Sequence, residues 1–160
     1  MKNIKVTLPD NSVKDIALGT TPQGVADEIG PGLARAVVVA KVDGELKDLN
    51  SQLQSDCSLE LFTGETPEGH DTLLHSTAHL MAQAVKELFP KAKVTIGPTI
   101  DNGFYYDFDV DTAFSDEVIA QIEKKMKELA KSSQEIFRSE ISAKDAITLF
   151  KNMDEDYKVE

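Results

Sequence analysis

The sequence predicts an α+β chain of two parts, residues 1–64 and 65–160. Three observations predict this. Apolar and polar residues alternate in short runs around one capped helix in the first part. A polar stretch with Gly64, Pro67 and Gly69 follows at 63–69 and reads as the linker. Beyond it, a 3.6-residue apolar period gives way to a hairpin and two more helices.

Taken in order, Ile4, Val6 and Leu8 alternate with polar residues, and the turn residues at 9–12 lead to a second strand at 13–16. Thr21 caps a helix with Pro22 at its first position, Val25, Ala26 and Ile29 inward, and Gly30 as its stop. The apolar run 37–42 precedes Asp43-Gly44, a tight hairpin signal, with strands at 45–49 and 59–62. Strands wrapped around one short helix predict a β-grasp domain.

In the second part, apolar residues recur from Leu74 at Ala78, Met81, Ala82, Val85, Leu88 and Phe89, one face of a helix that Pro90 ends. Strands at 94–100 and 104–110 flank Asn102-Gly103, where tolerance of positive φ suits a turn. Phe104, Tyr106 and Phe108 share a face, and Gly97-Pro98 interrupts the first strand at a bulge or an edge. A helix from Ser115 buries Val118, Ile119, Ile122, Met126 and Leu129 and exposes the Glu123/Lys127 and Lys124/Glu128 pairs. A strand at 135–141, a helix begun by Ser142 with Asp145 as capping partner, and a last strand entered at Tyr157 complete the expectation of a mixed or antiparallel sheet with helices.

The chain has 160 residues, 41% hydrophobic and 28% charged, with net charge −11. Residues 1–69 carry 6 basic and 11 acidic groups, and residues 70–160 carry 11 and 17, so neither half is a general nucleic-acid binder. The basic run Lys124, Lys125, Lys127 and Lys131 is most simply a solvated helix face, with local RNA contact as the alternative. No run approaches the ~18–20 apolar residues of a membrane span, and the N-terminus lacks a signal peptide's apolar centre, which predicts a cytoplasmic protein without membrane contact. Cys57, the single cysteine, forms no internal disulfide and is expected to pack.

His75 and His79 stack one turn apart on the border of the helix's apolar face. The zinc-protease signature has this spacing but needs a Glu after the first histidine, where this chain has Ser76. Zinc needs three or four ligands, and only two histidines are in register. The pair therefore reads as two ordinary boundary histidines, as half of a hydrolytic or metal site, or as a binding surface. His70, placed before the helix, is assigned no role. No phosphate-binding glycine loop, GxGxxG or GxSxG occurs, which leaves water-activating chemistry or binding.

With the pattern assembled, the chain resembles the N-terminal region of the bacterial threonyl-tRNA synthetases. The first part, with VTLPDNS, GPGLARA and the Asp43-Gly44 hairpin, resembles the family's TGS domain; HSTAHLMAQAVK followed by IGPTIDNGFYYDFD resembles the start of its editing domain. The resemblance implies a protein that attaches threonine to tRNA(Thr) using ATP, with an editing module that hydrolyses the seryl ester on the serine-charged 3′ end of that tRNA. By position, His75 and His79 match the editing histidines, Lys158 an active-site lysine, and Tyr106 an aromatic at the substrate pocket. The family completes this site with a cysteine and a histidine four residues apart, near an aspartate, further along than residue 160. The resemblance therefore implies an incomplete editing domain at 65–160, inactive alone and without a cofactor of its own. ATP, magnesium and zinc belong to a catalytic domain elsewhere, and the whole protein is expected to be a homodimer. The alternatives are a non-catalytic RNA- or protein-binding module and the N-terminal region of a uridine kinase that shares these domains.

Overall fold

Alternation makes the first hairpin. In the computed structural model, which describes residues 2–159, β1 (Asn3–Thr7) and β2 (Val13–Ala17) pair antiparallel with Ile4 opposite Ile16. Asn11, in the left-handed region at φ 64°, closes the turn, and the Asp10 carboxylate accepts from Ser12 N at 3.0 Å. Helix α1 (Pro22–Ile29) starts where Thr21 Oγ1 accepts from Gly24 N at 3.1 Å. A short α2 (Pro31–Ala36), which the sequence reading did not contain, follows directly. Next come β3 (Val37–Val42), β4 (Glu45–Lys47) and β5 (Cys57–Thr63). Asp43 and Gly44, at φ 49° and 86°, form the two-residue turn expected of them, and Asp43 Oδ1 also accepts from Ser58 N at 2.8 Å.

The sheet order is β2-β1-β5-β3-β4, with β1 and β5 parallel and the other pairs antiparallel, which is the mixed sheet of the expected β-grasp. Ile4, Val6, Ile16, Ala40, Cys57 and Leu59 from the sheet close on Val25 of α1. Ile29 is a correction: eight residues make just over two turns, Pro22, Val25 and Ala26 cover the sheet, and the helix's last residue is left exposed.

The chain divides into two compact units, one running to Leu73 and the other from Leu74. The linker expected at 63–69 is shorter than that, because α3 (Pro67–Leu88) takes up most of it. Thr66 Oγ1 accepts from Gly69 N at 3.2 Å and Pro67 holds the first helical position, the same Thr-Pro start as at Thr21-Pro22. Gly69 is needed there, since a Cβ would overlap the Thr63 carbonyl. His70 consequently lies on α3, exposed, and not before it.

In the second unit, the apolar face of α3 packs as expected, with Ala84 added, against Ala92 and against α4 (Asp116–Ser132) through Ile122 and Leu129. Ser115 Oγ caps α4, and Lys125 of α4 pairs with Glu87 of α3 at 2.7 Å. Ile119, expected to be buried, is exposed: it stands ~60° around the helix from Ile122, beyond the stripe that meets α3. The long hairpin forms in two pieces, β6 (Lys93–Val94) with β9 (Phe108–Asp109) and β7 (Thr99–Ile100) with β8 (Gly103–Phe104). Five residue steps separate Val94 from Thr99 but only four separate Phe104 from Phe108, so the first strand bulges where Gly97-Pro98 lies. Its turn is Asp101-Asn102, with Gly103 paired to Ile100, and neither Asn102 nor Gly103 uses positive φ.

Two expected strands are absent. Residues 135–141 form no strand and no regular element, with Ile136 89% and Phe137 79% exposed; the alternation is present, but a strand needs a partner. After α5 (Ala143–Asn152), started by Ser142 as expected, Tyr157 lies in a 3-10 turn (Asp156–Lys158) and not in a strand. No helix among the described residues is long and apolar enough to cross a membrane.

Leu59, 1% exposed on the strand between β1 and β3, should carry much of the first unit's stability. Leu59→Ala is expected to destabilise that unit by about 2–5 kcal/mol, measured by urea unfolding followed at amides of residues 3–63.

Candidate active site

Helix geometry brings the two histidines together. Four residues apart on α3, His75 and His79 place their Nε2 atoms 3.0 Å apart, with ring centroids at 4.5 Å and planes at 87°. One ring donates and the other accepts, so the pair carries one Nε2 proton between two nitrogens. Both rings are exposed, while Ala78 and Ala82 on the same helix are buried. The His79 imidazole is held below its ordinary pKa, first by partial burial, then by His75 and then by the Lys158 ammonium. This lowering favours the neutral form of the His79 ring.

Lys158 reaches this pair from the 3-10 turn. Its Nζ donates to the Thr95 carbonyl at 3.4 Å, on the bulged strand, and its charge bears on His79. The structure thus brings His75 and His79 into direct contact, and the Lys158 charge bears on His79.

Tyr106 is held differently. Its ring stacks on Phe108 at 5.0 Å between centroids and 19° between planes, and it lies over Gly97, where a Cβ would overlap the ring. Burial, then the nearby Glu155 carboxylate, raise the Tyr106 phenol above its ordinary pKa, so it stays protonated. Gly97 is thus the residue that lets the aromatic side of the hairpin close.

The sequence reading missed Glu155 and Lys86. Glu155 is 5% exposed, with Oε1 2.6 Å from Lys86 Nζ, and its other oxygen accepts from Val94 N at 3.5 Å. The acidic run at 154–156 marked the region, but the residue spacing alone did not tell which of its three carboxylates turns inward. Cys57 packs in the first unit's core as expected. Burial, then the Asp43 and Asp56 charges, raise its thiol pKa, the reverse of what a nucleophile needs.

Among the described residues, no three His, Cys, Asp or Glu side chains are grouped as metal ligands. A cleft of about 540 Å³ lined by Leu88, Phe89, Ala92, Lys93, Asp109 and Val110 lies in the same unit but involves neither histidine. The chemistry these groups offer is that of an imidazole pair and an ammonium ion: accepting a proton from water or a hydroxyl, and stabilising a developing oxyanion.

Gly97→Ala should push the Tyr106 ring off Phe108 and destabilise the second unit by about 1–3 kcal/mol, as overpacking does. Thermal unfolding measures the loss, and the ring proton shifts of Tyr106 report the displacement.

Residues 4–63 match the family model described as the TGS domain. Over all 160 residues the chain is 51% identical to the threonine–tRNA ligase of Pelobacter propionicus and 53% identical to that of a Geobacter species. It is 52% identical to the ligase of Citrifermentans bemidjiense. In each case it covers 25% of the relative, so the chain spans about a quarter of the length of the curated relatives it matches. The matches run over the whole of this chain and each of these relatives is named a threonine–tRNA ligase, which favours the ligase reading over its alternatives, a uridine kinase and a non-catalytic binding module.

Proposed function

Because the chain carries a TGS domain and is homologous over its full length to the N-terminal part of bacterial threonyl-tRNA synthetases, we propose that it is that part of a threonine–tRNA ligase. Residues 1–64 are its TGS module, and residues 65–160 are the front of an editing module that hydrolyses mischarged seryl-tRNA(Thr). The partner is tRNA(Thr), bound as its serine-charged 3′ end. ATP, magnesium and zinc act in a catalytic domain outside these residues, and the whole protein is a cytoplasmic homodimer. The ligase reading rests on the full-length match. The observation that carries the editing reading is the 3.0 Å contact of His75 and His79 with the Lys158 charge beside it.

Editing answers a limit of binding. Serine is threonine less one methyl group, and a pocket that must hold threonine gains only ~1–3 kcal/mol against the smaller amino acid. A second site that admits serine and excludes threonine supplies the remaining discrimination.

The reaction is attack of water on the seryl carbonyl, with cleavage of the bond to the ribose oxygen. In it, a neutral His75 orients the water or the ribose hydroxyl and takes up the proton that the water releases. His79, its hydrogen-bond partner, fixes the tautomer of His75. The Lys158 ammonium stabilises the charge that grows on the ester oxygen, and the proton finally leaves on the ribose hydroxyl. Tyr106, packed over Gly97, forms an aromatic wall of the pocket.

The test is deacylation of seryl- and threonyl-tRNA(Thr) by the chain extended to its relatives' length. The seryl ester alone should be cleaved, and His75→Ala should slow that cleavage by about 10²–10⁴-fold. An extended protein that leaves seryl-tRNA(Thr) intact removes the editing assignment.

The pH profile has a definite sign. The base must be neutral, so the rate rises with pH. His79 must also be neutral to fix the His75 tautomer, and because its pKa is lowered that condition still holds at the ordinary imidazole value of ~6.5 and is lost only below it. Lys158→Gln removes one of the causes of that lowering and should move the acid limb of the profile to higher pH, a shift read from kcat against pH.

A further inference from the structure

One charged side chain of the second unit is buried and takes no part in the chemistry above. Glu155 sits where α5 ends in a left-handed residue. Asp154 has φ 57°, its N–H donates to Lys151 O at 3.2 Å, and Glu155 N donates to Phe150 O at 3.0 Å. This paired closure ends the helix with Asp154 in the position usually given to glycine, and it turns Glu155 back toward α3.

From there Glu155 binds in three directions. Its carboxylate pairs with Lys86 at 2.6 Å and accepts from Val94 N at 3.5 Å, while its backbone carbonyl accepts from Lys158 N at 2.9 Å. Lys86 is itself fixed, donating to the Ala92 carbonyl at 2.9 Å. It follows His79 by seven residues, two turns along the same face of α3. A single residue therefore joins the helix that carries the histidines, the strand that leads to Thr95, and the turn that carries Lys158. Among the turn's other ties, Lys93 to Asp156 and Tyr157 to Asp109 involve exposed carboxylates that water competes for, and Lys158 Nζ donates to the Thr95 carbonyl at 3.4 Å.

We propose that Glu155 is a positioning residue of this site: its buried carboxylate clamps the C-terminal turn to α3 through Lys86 and so holds the Lys158 ammonium beside His79. The inference deepens the editing reading and rests on it for its functional meaning, but the clamp itself is a property of this chain. The pair suits the task, because Glu155 is buried while Lys86 is partly exposed, and losing the lysine leaves a buried carboxylate uncompensated.

The test follows His79 by NMR titration of the imidazole carbons in the 160-residue chain. The charged groups that bear on this ring are His75 and Lys158. Losing a negative charge by Glu155→Gln would, through its field alone, lower the His79 pKa further. Losing the placement of Lys158 has the opposite sign. The expected result is a rise toward the ordinary imidazole value in Glu155→Gln, a comparable rise in Lys158→Gln, and no further rise when the two are combined. A fall, no change, or a rise that persists with Lys158 replaced would overturn the proposal.

Should Glu155→Gln unfold the second unit, the double variant Lys86→Met with Glu155→Met leaves no buried charge unpaired. It should show the same rise, and an unchanged His79 titration in it would overturn the clamp. No tRNA enters this measurement, so failure of the clamp and failure of ester hydrolysis are read separately.

Discussion

With 3.0 Å between their Nε2 atoms, His75 and His79 have room for a single proton on the line joining them. Protonating both rings there would place two positive charges and two N–H groups against each other, so the contact itself keeps the pair from full protonation. Nearby Lys158 adds a third positive charge, which further disfavours imidazolium. The neutral form of His79 is favoured first by its partial burial and then by these neighbouring charges. The rings remain exposed on α3, which suits the proposed substrate, the end of a large RNA.

The remainder of the second unit can be understood as what keeps these three groups in place. The apolar face of α3 packs on α4 and on the segment that enters the hairpin, and this orients the histidine edge outward. The bulge at Gly97-Pro98 makes room for the Tyr106 ring and presents the Thr95 carbonyl to Lys158. The left-handed Asp154 returns the chain so that Glu155 meets Lys86. Each device is small, and each depends on a residue whose substitution is specific in effect: no side chain at 97, a carboxylate at 155, an amine at 86.

Much of this was legible in the sequence because it follows from local rules. Thr21-Pro22, Ser115 and Ser142 each start a helix with the hydrogen bond expected of them, and Asp43-Gly44 forms its two-residue turn. The period of α3 placed His75 and His79 on one edge correctly, and the strand alternation separated Tyr106 from Tyr105. What failed was non-local or ambiguous. Thr66-Pro67 carried the same start signal as Thr21-Pro22 but was masked by Gly64 and Gly69. Residues 135–141 had a strand's alternation and no neighbour to pair with. The turn at 154–158 depends on Asp154 adopting a conformation more usual for glycine, and on a lysine that composition places with the solvent-facing residues of α3. The role proposed for Lys158 rests on family resemblance, whereas the effect of its charge on His79 needed three-dimensional packing.

The neutral, shared-proton state of the two histidines is the point on which the chemical account stands, and long-range ¹H–¹⁵N NMR of their ring nitrogens at neutral pH tests it most directly. The account predicts two neutral rings of opposite tautomer: one protonated at Nε2 and donating, its partner protonated at Nδ1 and accepting at Nε2. Two imidazolium rings, or two rings both protonated at Nε2, would contradict it.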